Sequence, residues 1–154
     1  MLTPDAVSAI AVDTFRLNGA LIAAGDKLGA PLGLTSARWQ VMGAIALAGQ
    51  PGPVAHVARN MGLTRQNVRR IVGDLVQEGL LALAPNPHHR RAALVVMTPR
   101  GAAAYGAIMA LWAPRAAALA EGISAEDLAT TLATLRRLHA ALAVSPEDEN
   151  GELP

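Results

Sequence analysis

The chain has 154 residues, 52% of them hydrophobic and 16% charged, with a formal net charge of +1 and no cysteine. That length suits one domain with a real core, or a small module carrying helical extensions, and the composition excludes a disordered polymer. The missing cysteines exclude a disulfide framework, cysteine-ligated zinc and thiol redox sensing.

Aromatic residues make up only 3% of the chain, so alanine, leucine and valine must fill the interior, a mixture that leans helical. The opening MLTPDAVSAI lacks a basic region followed by an apolar core. The apolar stretch 101–114, bracketed by Arg100 and Arg115, is too short to span a bilayer. A cytoplasmic protein with no membrane partner is expected.

Thr3 and Pro4 open a first helix, in which Val7, Ile10, Thr14, Leu17, Leu21, Ala24 and Leu28 recur at spacings of three and four, widened by Phe15 and Ile22. Such a seam asks for a partner helix. Pro31 and Gly33 end it. Thr35 caps a second helix expected to bury Trp39, Met42, Ile45 and Ala46, stopped by Gly49 and Pro51-Gly52-Pro53. A short helix follows over about 54–61. After a turn at Gly62, Thr64 caps another, with Val68, Ile71, Val72, Leu75 and Val76 inward and Gly79 closing it.

The period then changes. Leu80 to Ala84 and Ala92 to Met97 read as two strands around a polar tip, PNPHHRR. Thr98-Pro99 begins a long helix to about Glu121, which Pro114 is expected to kink or interrupt. Ser124 and Asp127 resemble a capping box opening a last helix with Leu128, Leu132, Leu135, Leu138 and Leu142 on one stripe. The tail over 145–154 is acidic and lacks an apolar pattern, so disorder is expected there. The fold class is therefore mainly α with a small β-hairpin.

Charge is unevenly placed. Between Pro53 and Met97 stand six arginines and two acids, a balance of +4, against seven basic and ten acidic residues elsewhere, or −3. A genome favouring arginine accounts for Lys27 being the only lysine, but not for this clustering. Within the cluster, Ala58, Gly62 and Val68 supply a small residue at a helix crossing, a turn residue and an apolar lock, as a helix-turn-helix needs. The outer face of the second helix carries Arg65, Gln66, Asn67, Arg69, Arg70 and Gly73. Arginine can bind guanine through two hydrogen bonds, and glutamine or asparagine can do the same with adenine. Thr64 and the helix N-terminus can take a phosphate. The alternative is an ordinary exposed face solvated by Arg and Gln. His89, Arg90 and Arg91 at the hairpin tip suit a wing, whose arginine can enter a narrow minor groove.

These segments resemble the MarR family of bacterial transcription regulators: LTSARWQVM, then VARNMGLTRQNVRRIVGDLVQEGLL, then NPHHRRAALVVMTPRG, from about Leu34 to Gly101. The resemblance implies a winged helix-turn-helix over 34–98, held by a dimerisation helix over 1–33 and two more over 99–144. It implies a homodimer placing two recognition helices in successive major grooves of a pseudo-palindrome in double-stranded DNA. Repression is the family's habit. The family's wing commonly carries Asp-x-Arg, and here His89 stands in place of the Asp, with Arg91 as the groove-entering residue. A protonated histidine would repel Arg91, so a looser, pH-sensitive wing is expected.

Members of the family also bind aromatic acids between the dimerisation helices and the winged domain, so a small aromatic or phenolic effector is implied. Phe15, Trp39, Met42, Met109 and Trp112 are candidate lining residues, or else ordinary core. Arg16 and Arg38 are candidates to hold a carboxylate; Arg38 equally suits a phosphate, and both suit plain solvation. His56, His88, His89 and His139 show no metal-ligand spacing, and no catalytic motif occurs, so neither a metal, a cofactor nor an enzymatic activity is expected. The second function class is a winged-helix protein-interaction or ligand-binding dimer that does not bind DNA specifically. Steep salt dependence would separate DNA binding from an apolar protein interface.

Overall fold

The computed structural model describes residues 3–143; the expected acidic tail over 145–154 lies outside them. Helix α1 (Thr3–Gly29) runs into a single 3-10 turn (Ala30–Leu32), followed by α2 (Ser36–Leu47), β1 (Gly52–Pro53), α3 (Val54–Met61), α4 (Arg65–Gln77), β2 (Leu81–Ala84), β3 (Leu94–Met97), α5 (Pro99–Ala120) and α6 (Ala125–Ala143). The mainly α class with a small β wing is thus observed.

The caps that the sequence advertises form. The Thr35 hydroxyl accepts from the Arg38 N–H, and the Thr64 hydroxyl accepts from the Asn67 N–H at 3.3 Å. Gly62, at φ 63°, adopts the left-handed conformation that turns α3 into α4. Ser124 accepts from the Asp127 N–H at 3.0 Å while its hydroxyl donates to the Asp127 carboxylate at 2.7 Å. A further cap comes from outside the helix it serves: the Asp26 carboxylate, on α1, accepts from the Ser36 N–H at 2.6 Å. That bond ties the end of α1 to the start of α2 and places negative charge where a helix N-terminus favours it.

The sheet has three strands in the order β1-β3-β2, both pairings antiparallel. Leu81 opposes Met97 and Ala84 opposes Leu94 in the hairpin, while Gly52 opposes Val95 and Pro53 opposes Leu94 on the other edge. From sequence, Pro51-Gly52-Pro53 reads only as a helix stop. A two-residue edge strand there tolerates Pro53, because an edge position can spare its N–H. The strands are also shorter than expected, since Leu80, Ala92 and Ala93 fall outside them.

The core joins α2, α4, the sheet and α5 through Val41, Met42, Val68, Leu75, Leu81, Val95 and Ile108, all at most 1% exposed, with Val57 and Ala58 of α3 completing it. Two expectations for α2 fail: Ala46 is exposed and Trp39 is only half-buried, because Val41 and Gly43 complete the buried face instead. Helix α5 runs on through Pro114 rather than stopping there. The missing proline N–H deprives only the Ala110 carbonyl of its helical partner.

The chain divides at Pro114 into two compact units, one reaching to Ala113 and one beginning at Pro114. In the first, Val7, Ile10, Leu17, Leu21 and Ile22 of α1 are exposed; in the second, Leu128, Leu132 and Leu135 of α6 are exposed. The segment Pro4–Leu32, of mean hydropathy 1.3, is long and apolar enough to cross a membrane by length and composition alone. It carries Asp5, Asp13, Arg16, Asp26 and Lys27, and Asp26 is engaged in the cap of α2.

Candidate nucleic-acid interface

Helices α3 and α4 pack together, with the small Ala58 4% exposed and Val68 sealed completely. With Val68, Ile71, Val72 and Leu75 turned inward, the opposite face of α4 must face solvent. It does: Arg65, Gln66, Asn67, Arg69, Arg70 and Gly73 are all exposed. Arg70 stands 3.6 Å from Asp74 one turn on, a solvent-screened pair that holds the guanidinium only weakly. Thr64, already engaged as the cap, sits with Gln66, Asn67 and Arg70 around a shallow depression.

The wing spans the nine residues between β2 and β3. Asn86 organises it: its side-chain N–H donates to the Ala92 carbonyl at 2.8 Å and its side-chain oxygen accepts from the His88 N–H at 3.0 Å. Backbone bonds from His89 N–H to the Asn86 carbonyl and from Ala92 N–H to the His89 carbonyl complete the turn. His89, Arg90 and Arg91 are exposed on it, and among the described residues no hydrogen bond joins the His89 and Arg91 side chains. Sequence reasoning missed Asn86, although an Asn between two prolines is a turn signal.

Helix and wing meet around one groove of about 420 Å³, to which α4 contributes Arg65, Arg69 and Gly73, the wing root Arg91, Ala92 and Ala93, and the start of α3 Val54. Among the described residues no carboxylate lines it. Six candidates therefore fall into two sets: Arg65, Arg69 and Arg91 share the groove, and Gln66, Asn67 and Arg70 border the depression beside it.

Arg38 is engaged within the chain. It donates to the Gly33 carbonyl at 3.1 Å and ion-pairs with Glu78, whose own carbonyl accepts from Arg100 at 2.9 Å. This cluster locks the C-terminal end of α4 to the entry of α2 and the start of α5.

The candidate ligand residues are only partly brought together. An open groove of about 510 Å³ is lined by Trp39 and Met109, with Gly43, Met61, Asn60 and Tyr105, which the sequence does not single out. Trp112 packs against Trp39 with the rings tilted by 43° and 6.1 Å between centroids. The Trp39 indole N–H is buried without a hydrogen-bond partner among the described residues. Met42 is fully buried behind this surface, whereas Phe15 is 76% exposed and Arg16 pairs with Asp13 at 3.3 Å on α1. Tyr105 was readable one turn before Met109, on the same helical face. Among the described residues no group of three or more His, Asp or Glu side chains converges on a metal-sized site.

Residues 32–92 match the model of the MarR family. An uncharacterized protein of Mycobacterium tuberculosis is 36% identical over 138 residues, which cover 90% of this chain and 95% of that one. Among solved structures, a MarR family transcription regulator, SP03579, superposes with a TM-score of 0.75 at 25% identity, covering 91% of this chain and 94% of its own. CouR from Rhodococcus jostii RHA1, solved with p-coumaroyl-CoA bound, superposes with a TM-score of 0.71 at 23% identity, covering 88% and 92%.

Proposed function

The chain belongs to the MarR family of transcription regulators, and on that premise we propose that it is a cytoplasmic, homodimeric, sequence-specific repressor of double-stranded DNA. Helix α4 enters the major groove with Thr64, Arg65, Gln66, Asn67, Arg69 and Arg70, and the wing reaches the adjacent minor groove with Arg91, flanked by His89 and Arg90. The observation that carries this reading is the convergence of Arg65 and Arg69 from the helix with Arg91 from the wing, around a groove that no acid among the described residues neutralises. A surface of that sign attracts the phosphate backbone and focuses its own field there.

The exposed apolar stripes of α1 and α6 support the homodimer, since a soluble helix does not leave such a seam uncovered. Residues 1–33 and 99–144 would supply that frame. A small aromatic or phenolic effector fits the groove beside Trp39, whose walls are aromatic and sulfur-bearing. The p-coumaroyl group in CouR is of that chemistry.

The test is fluorescence anisotropy with the duplex immediately upstream of the protein's own gene, against a scrambled duplex of equal composition, at two salt concentrations. Preference for the native duplex with a steep loss of affinity in salt is expected. Equal, weak, salt-insensitive binding would favour the protein-interaction reading. Replacing Arg91 with alanine should cost about 1–3 kcal/mol of binding free energy; an unchanged Kd would remove the wing from the interface.

A further inference from the structure

Gly73 is a glycine that the fold does not require. It lies inside α4, away from either end, and is not among the glycines with positive φ. A Cβ built on it would meet no heavy atom of a neighbouring element within 4 Å. Neither a turn nor close packing within the chain explains it, and glycine inside a helix is weaker than alanine. Gly19 and Gly106 share that openness, but among these three only Gly73 lines the groove formed by Arg65, Arg69 and Arg91.

Arg65, Arg69 and Gly73 follow one another at four-residue intervals, so they form a single stripe along α4. That stripe is one wall of the groove, and Arg91, Ala92 and Ala93 at the wing root line it as well. The groove thus offers three guanidinium groups, small apolar side chains and a stretch of uncovered helix backbone, with no carboxylate among the described residues. A ligand matching it carries regularly spaced negative charges separated by apolar, bulky groups. The sugar–phosphate backbone of DNA has that chemistry: a charge at each phosphate and a deoxyribose between.

We propose that this groove seats the backbone of one DNA strand, and that Gly73 is kept bare so that the strand can lie against the helix. This inference rests on the DNA-binding reading and divides it. Arg65 and Arg69 then hold phosphates with Arg91, and reading of base edges falls to Gln66, Asn67 and Arg70, which border the neighbouring depression. The division is geometrically consistent, because the strand separating a major groove from the next minor groove passes between a recognition helix and a wing.

The experiment uses the full chain as wild type, Gly73→Ala and Gly73→Leu, each measured by thermal denaturation and by anisotropy on a mixed-sequence duplex over a salt series. A backbone seat does not depend on the operator, so any duplex serves as the probe. Gly73→Ala is expected to raise Tm by about 2–4 °C, and Gly73→Leu to melt no lower than the wild type. Both should nonetheless bind more weakly, Gly73→Leu by roughly tenfold or more, and the slope of log K against log salt should shrink by about one. A gain in stability with a loss of affinity cannot come from misfolding. A variant with raised Tm, unchanged affinity and unchanged slope overturns the backbone seat and leaves DNA binding standing. A wild type that shows no salt-sensitive affinity for the duplex overturns the DNA-binding reading and this inference with it.

Discussion

Replacing Val68 with aspartate should remove much of the stability of the helix-turn-helix and lower its Tm by about 8–16 °C or more. Val68 is fully buried, on the face of α4 that also carries Ile71, Val72 and Leu75. It stands where the sequence places the apolar lock of α4 on α3. An aspartate there either remains charged in an apolar site or takes up a proton to stay neutral, and no arginine or lysine among the described residues is buried to pair with it. The cost is about 4 kcal/mol or more, against a total stability of about 5–15 kcal/mol for a domain of this kind. Far-UV circular dichroism and a thermal melt decide the matter. A melt within a few degrees of the wild type would mean that the α3–α4 contact does not hold the domain together, and that Val68 is not its apolar lock. Val68→Ala serves as the graded comparison, since it removes two methyl groups without adding a charge and should cost about 1–3 kcal/mol.

What the sequence made legible is what depends on neighbours close along the chain. The caps at Thr35, Thr64 and Ser124 and the turns at Gly62 and Gly79 each involve residues within about one helical turn, so residue type and spacing suffice. The exposed face of α4 follows from its buried face by periodicity, which is why the candidate DNA-contacting residues can be named from sequence. Interactions between distant segments were not legible. The pairing of Gly52 with Val95 creates a strand from a Pro-Gly-Pro run that has no strand propensity of its own. The Arg38–Glu78 pair joins residues far apart in the chain, and nothing in either neighbourhood announces the other.

The candidate ligand groove shows the same limit from another side. Helical spacing reveals that Trp39, Met109 and Trp112 lie on apolar faces, but not which face meets which. Phe15 belongs to an apolar face as well, yet it stands on an exposed stripe of α1, while Tyr105 and Gly43 come together across two helices. Periodicity orients a side chain relative to its own axis; only packing decides its neighbours. The division of α4 between Arg65, Arg69 and Gly73 on one side and Gln66, Asn67 and Arg70 on the other depends in turn on where the wing sits. That position is set by Asn86 and by the sheet register, neither of which α4 itself encodes.

Gly101→Ala is expected to destabilise the winged domain by about 3 kcal/mol or more, the opposite sign to Gly73→Ala, although both replace a glycine within a helix. Propensity alone predicts a gain of about 1 kcal/mol at each. Sterics decide otherwise at Gly101, where a Cβ would collide with the Leu80 carbonyl oxygen and lie 3.2 Å from the Met97 sulfur. A side-chain tip could swing aside, but this obstacle is backbone. The Leu80 carbonyl accepts from the Thr98 N–H at 3.2 Å, and the Thr98 hydroxyl, which accepts from the Gly101 N–H at 3.0 Å, turns its own hydrogen toward the carbonyls of Gly79 and Leu80. Relieving the clash therefore means lifting the start of α5 away from the base of the hairpin and breaking the bonds that fix it. For a chain of this length the loss corresponds to a Tm lowered by about 6–12 °C. An alanine variant that melts at or above the wild-type temperature would show that α5 does not press on Leu80 as closely as these distances state. The fall in Tm should carry DNA binding with it, since the same junction holds the strand from which the wing departs. In Gly73→Ala, by contrast, stability and affinity should part company. Two substitutions of identical chemistry thus separate a glycine demanded by packing within the chain from one demanded by what docks upon it.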